Sequence, residues 1–79
     1  MNCFSKSSLQ LAVGIGQRHL ENIIARYPDF PIVYRNSRSH IIPKRRFFEW
    51  YDRHRDEPMV ADRFDHYSIE ALRQNTLGN

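Results

Sequence analysis

Cysteine occurs once, as Cys3, so the chain cannot close an internal disulfide. A reducing compartment, the cytoplasm, is the expected setting. No apolar run approaches the length that spans a bilayer, and the first residues carry no signal-peptide core; no membrane partner is expected. Glycine is scarce, three in 79 residues, and none belongs to a phosphate-cradling glycine loop. The four histidines are His19, His40, His54 and His66. With Cys3 they show no paired Cys-x-x-Cys or His-x-x-x-His spacing, so neither a metal nor another cofactor is expected. His54 belongs to a helix face beside Tyr51, and the other three read as surface residues. A catalytic set is missing too. Ser5, Ser7 and Ser8 sit at a helix start, where capping explains them better than nucleophilic work. Asp52, Asp56 and Glu57 lie among Arg53 and Arg55, as a solvated ion-pair region would. An enzyme is therefore the least expected class. There is no internal repeat and no low-complexity segment.

What the chain does have is uneven charge. Lys and Arg total 12 against 9 Asp and Glu, a net +3. Residues 1–55 hold ten basic and four acidic side chains, whereas residues 56–79 hold two basic and five acidic. A basic body with an acidic tail points to a polyanionic partner for the body. One domain accommodates this length, close to the lower limit for a self-sufficient core.

The organising stretch is Leu9 to Tyr27, LQLAVGIGQRHLENIIARY. Ser5 as N-cap predicts a first helix over Lys6–Val13, with Phe4 packing on Leu9. Gly14 and Gly16 predict a tight turn. A second helix over Gln17–Tyr27 ends before Pro28. Leu20, Ile23, Ile24 and Tyr27 fall on one face of it, and Arg18, Glu21, Asn22 and Ala25 on the other. Two helices joined by a short glycine turn form a helix-turn-helix. After the stiff connection Pro28–Pro31, the runs Ile32–Tyr34 and His40–Ile42 read as strands of a hairpin with the basic tip RNSRS, a wing. Pro43 opens a third helix that ends near Arg55, with Phe47, Trp50, Tyr51 and His54 on one face. Phe48 lies off that stripe and needs another partner. In the tail, Ser68 caps a final short helix, with Tyr67 and Leu72 as a staple pair. The tail's apolar residues leave three courses open: packing on Phe48, on a second copy, or none.

The expected fold is thus α+β, a small winged helix-turn-helix of order α-α-β-β-α over residues 1–55. An acidic C-terminal extension, 56–79, serves docking or self-association or stays disordered. Three groups of residues suit DNA. Gln17, Arg18, Glu21 and Asn22 face outward near the start of the second helix, where major-groove readers place base contacts. Any amphipathic helix also shows such a face to solvent. Arg35, Asn36, Ser37, Arg38 and Ser39 form the wing tip, suited to a minor groove or to phosphate, although edge strands also carry charge to deter pairing. Lys44, Arg45 and Arg46 crowd a helix start, where the backbone dipole disfavours cations and phosphate would compensate.

The segments GIGQRHLENII and FPIVYRNSRSHIIPKRRFFEW, in the order helix, turn, helix, hairpin, helix, resemble the excisionase-like branch of the MerR-type winged-helix superfamily over roughly Ser5–His54. Gly14 matches the turn glycine, and Leu9, Val13, Ile15, Leu20 and Ile23 match the buried positions. Gln10 stands where the family usually has alanine, and Gly16 where serine is common. The resemblance implies a protein that binds double-stranded attachment-site DNA, bends it and directs an integrase towards excision. It implies base reading by Gln17, Arg18, Glu21 and Asn22 and wing contacts by residues 35–39. Alternatives are a small phage or plasmid transcription regulator, a packaging subunit, or a winged-helix module that binds protein instead of DNA.

Overall fold

In the computed structural model, which describes residues 3–34 and 40–77, the chain begins as a strand. β1 (Cys3–Ser5) is followed by α1 (Lys6–Val13), α2 (Gln17–Arg26), β2 (Val33–Tyr34), β3 (His40–Pro43), α3 (Lys44–His54), α4 (Pro58–Arg63) and α5 (His66–Leu77). The architecture is α+β, five helices and a three-stranded antiparallel sheet in the order β1-β3-β2 among the described residues. Phe4 pairs with Ile42, and Val33 with Ile41. The expected two-stranded hairpin therefore gains a third strand on the far edge of β3. Three residues are too few to display the alternation that marks a strand, so β1 was not foreseen.

Phe4 belongs to that strand and not to the helix start. Ser5 ends the strand and also caps α1: its backbone is extended, and its Oγ accepts the Ser8 N–H at 3.1 Å. α1 stops at Gly14, whose φ of +69° is left-handed. The N–H groups of Gly14 and Ile15 both reach the Gln10 carbonyl, at 2.9 and 3.2 Å, satisfying an otherwise orphaned acceptor. α2 then starts behind Gly16 and ends one residue earlier than expected, with Tyr27 as its C-cap. Pro43 closes β3 and occupies the N-cap position of α3, rather than lying inside the helix.

The segment after α3 is built into the core. Val60, Phe64 and Ile69 are at most 4% exposed and belong to one apolar cluster with Leu9, Val13, Ile15, Leu20, Ile23, Phe47 and Trp50. The tail folds back on the body, and one of its side chains reaches Phe48. Phe48 is 2% exposed, and the Arg73 guanidinium of α5 lies 5.3 Å from its ring centre. Arg73 also forks onto the Asp52 carboxylate of α3 at 2.7 and 3.1 Å. Ser68 is not the cap of α5. Asp65 is: its carboxylate accepts the Tyr67 N–H and the Ser68 hydroxyl at 3.1 and 2.8 Å. Tyr67 is 88% exposed and cannot staple onto Leu72. No helix among the described residues is long and apolar enough to cross a membrane.

Candidate nucleic-acid interface

α2 is held by its inward residues. Leu20 and Ile23 are fully buried, with Ile24 and Tyr27 packed at the margin of the core. Each such aliphatic side chain contributes about 1.5–3 kcal/mol on burial, enough to fix which face turns outward. At 100° per residue, that leaves Arg18, Glu21, Asn22 and Ala25 on the side away from the core, with Gln17 at its entry beside Ile24, and all five are exposed. Glu21 is engaged: its carboxylate meets the Lys6 ammonium of α1 at 3.4 Å. A half-exposed pair of this kind adds little to stability, but it offsets the one negative charge on the outward face of α2.

A shallow depression of about 330 Å³ is lined by Ser5, Lys6, Ser7, Gln10, Gln17 and His40. The first residue of α2, the first turn of α1 and the start of β3 thus share a single polar surface. Where β2 and β3 pair, Tyr34 and His40 face each other across the strands, ring centres 4.6 Å apart and nearly perpendicular, a cross-strand contact that holds the register. The wing tip itself, Arg35, Asn36, Ser37, Arg38 and Ser39, lies outside the described residues.

The three cations at the start of α3 separate in space. Lys44 is half-buried, its ammonium 5.1 Å from the Phe4 ring centre on the β1 side of the sheet. Arg45 is exposed. Arg46 lines a second depression of about 410 Å³, with Asp29, Phe30, Pro31, Ile32, Val33, Glu49 and Arg53. Lys44 thus keeps company with β1, whereas Arg46 keeps company with the connection that precedes β2 and with two carboxylates.

A polar cluster not anticipated from sequence ties these elements together. His54, at the end of α3, has Nε2 2.8 Å from Asp29 Oδ2 and Nδ1 2.6 Å from Glu57 Oε2. The Trp50 indole N–H donates to Asp29 at 3.2 Å, and the Tyr27 hydroxyl donates to Glu57 at 2.7 Å. Arg53 adds a 3.6 Å contact to Asp29. Glu57 thus receives two donors while its side chain stays 46% exposed. The i,i+3 spacing of His54 and Glu57 is visible in the sequence; the reach back to Asp29 is not, since it depends on how the α2–β2 connection folds over α3.

Burial alone would lower the His54 pKa, but its hydrogen bonds to Asp29 and Glu57 outweigh that and raise it above the ordinary 6.5. The hydrogen bond from His54 is the main reason that Asp29 and Glu57 are both held below their usual range. Burial and the neighbouring Glu57 push Tyr27 up. A raised histidine contributes stability that is complete below the unfolded value and lost as pH rises through the folded one. Lowered carboxylates contribute above their unfolded values and lose that contribution as pH falls through the folded ones. The cluster is thus strongest between the ordinary carboxylate range and the ordinary histidine value of 6.5, and weakens as pH rises from there through the raised value of His54. Among the described residues, no group of three or more His, Cys, Asp or Glu side chains is placed to hold a metal ion. No family model, no curated protein and no solved structure matches this chain.

Proposed function

We propose that this chain is a non-enzymatic, sequence-specific binder of double-stranded DNA, a winged helix-turn-helix of the excisionase-like kind that acts on attachment-site DNA together with an integrase. The observation that carries the reading is the shared surface of Gln17, Lys6, Gln10 and His40. It joins the start of α2 to the base of the wing, beside the exposed Arg18 and Asn22. In this reading α2 enters the major groove, where Arg18 can fork onto guanine and Gln17 or Asn22 can pair with adenine. Glu21 accepts from cytosine or stays on Lys6. The wing, residues 35–39, lies over the adjacent minor groove or backbone. Lys44 and Arg45 add sequence-independent phosphate contacts, and Arg46 serves a second stretch of backbone from the far depression.

A winged-helix module that binds only protein is favoured by a loose apolar tail and an exposed Phe48; here Val60, Phe64 and Ile69 belong to the core and Phe48 is 2% exposed, which supports the DNA reading over it. A small transcription regulator would use the same face and the same cations.

Selection of bound sites from random duplex, followed by anisotropy titrations on selected and random DNA, tests the reading. Arg18→Ala should weaken selected-site binding by about 1–3 kcal/mol and leave random duplex nearly unchanged. Arg45→Ala should weaken both alike and flatten the salt dependence by about one ion. Equal losses on both DNAs for the two variants would remove the assigned roles, and no binding to any duplex at low salt would remove the function.

A further inference from the structure

His54 has no spare nitrogen. Each ring nitrogen lies within hydrogen-bond distance of a different carboxylate, Nε2 at 2.8 Å from Asp29 and Nδ1 at 2.6 Å from Glu57. A neutral imidazole carries one N–H and one lone pair. It could serve one carboxylate, but would then point a lone pair at an oxygen of the other. Only the imidazolium, with two N–H groups, satisfies both. The ring is 18% exposed, so it is poorly placed to exchange a carboxylate for water, although Asp29 and Glu57 are themselves 45% and 46% exposed.

The two carboxylates come from segments that position different parts of the proposed interface. Asp29 lies in the connection between α2 and β2, so it sets how the wing leaves the second helix. Glu57 precedes α4, which packs against α2, and it also receives the hydroxyl of Tyr27, the C-cap of α2. Trp50 and Arg53 of α3 hold Asp29 from the other side. These are the charged and titratable groups that face His54 from the neighbouring elements: Asp29, Glu57, Tyr27 and Arg53. None of them lies on the outward face of α2.

We infer that His54 is a proton-operated latch that fixes α2 and the wing connection in one mutual orientation, and that its deprotonation weakens binding to DNA without altering any residue that touches the duplex. This rests on the DNA-binding reading above. When the proton leaves, either Asp29 or Glu57 loses the donor that His54 supplied and meets a lone pair, keeping only Trp50 and Arg53 on Asp29 or Tyr27 on Glu57. The connection to β2, or the α3–α4 turn, is then free to shift. His54 acts here as a positioning residue, at the opposite end of α2 from Gln17.

The test has two parts. The first is an NMR titration of the His54 ring in the full chain, with thermal melting of wild type and His54→Gln between about pH 5.5 and 9, from about one unit below to about two and a half above the ordinary histidine value. His54 should titrate above the ordinary 6.5, Asp29→Asn and Glu57→Gln should each bring that value down, and the wild-type melting temperature should fall through it while His54→Gln stays flat. The second part is anisotropy on a selected duplex across the same span. Wild type should lose about fivefold or more in affinity on crossing the His54 pKa, in the range of ordinary coupling energies. His54→Gln should lose most of that pH dependence. A His54 titration at or below 6.5, or matching pH profiles for wild type and His54→Gln, overturns the latch. So does an affinity that stays level while His54 titrates as expected. Failure to bind any duplex at any pH overturns the DNA reading instead, and the ring titration and melts still read whether the latch exists.

Discussion

Gly14 and Gly16 are two residues apart and respond to substitution in opposite directions. Gly14 has open space around its missing Cβ but a φ of +69°, a conformation that costs an L-residue about 1–2 kcal/mol. Gly14→Ala should destabilise by about that much. Gly16 has ordinary extended angles, φ −73° and ψ 158°, and offers α2 no side-chain cap. A Cβ there meets only His19 Cδ2 at 3.9 Å, an ordinary contact. Gly16→Ser should therefore stabilise by about 0.5 kcal/mol, by capping α2 and restricting the unfolded chain. Urea unfolding of the two variants measures both, and a stabilised Gly14→Ala would show the turn to be different from the one described. The turn glycine was legible because a residue type with one distinctive permission sat between two helical patterns. The His54 cluster was not, because hydrogen-bond partners 25 positions apart leave no periodic trace.

At the scale of the element, α5 decides whether the domain is complete. Phe48 breaks the apolar stripe of α3 and is nevertheless 2% exposed, with the Arg73 guanidinium of α5 5.3 Å from its ring centre. Ile69 of α5 is fully buried, so Ile69→Ala should destabilise the whole domain by about 2–5 kcal/mol. That is a large share of the roughly 5–10 kcal/mol available to a chain this short. Far-ultraviolet dichroism and tryptophan fluorescence, which sees Trp50 in the core, should report one coincident transition shifted to lower urea. A separate early transition confined to helix signal would show that α5 docks independently. α1 and α2 announced themselves through caps and 3.6-residue spacing. α4, six residues long, and β1, three residues long, did not, since neither is long enough to complete its own period.

Over the whole molecule, the uneven charge resolves into paired and unpaired parts. Acidic residues of the C-terminal half are largely committed: Glu57 to His54 and Tyr27, Glu70 near Arg55 and Arg73, and Asp65 to the start of α5. The outward face of α2 and the polar depression beside it carry one acidic side chain, Glu21, already facing Lys6. Glu21→Ala removes that charge and frees the ammonium. Affinity for random duplex should rise about fivefold, equivalent to about 1 kcal/mol, with a salt dependence steeper by about one ion. Lower affinity for random DNA would place α2 away from the phosphates.

Local rules determined the two central helices, their turn, their caps and the outward placement of Gln17, Arg18, Glu21 and Asn22, because those features depend on residues within a turn or two of each other. Tertiary structure alone decided that the opening segment pairs with β3, that the tail folds back and reaches Phe48, that Lys44 and Arg46 part company, and that one histidine bridges two distant carboxylates. Each of these joins residues far apart along the chain, and such contacts are set by which apolar surfaces the fold buries together rather than by any local preference.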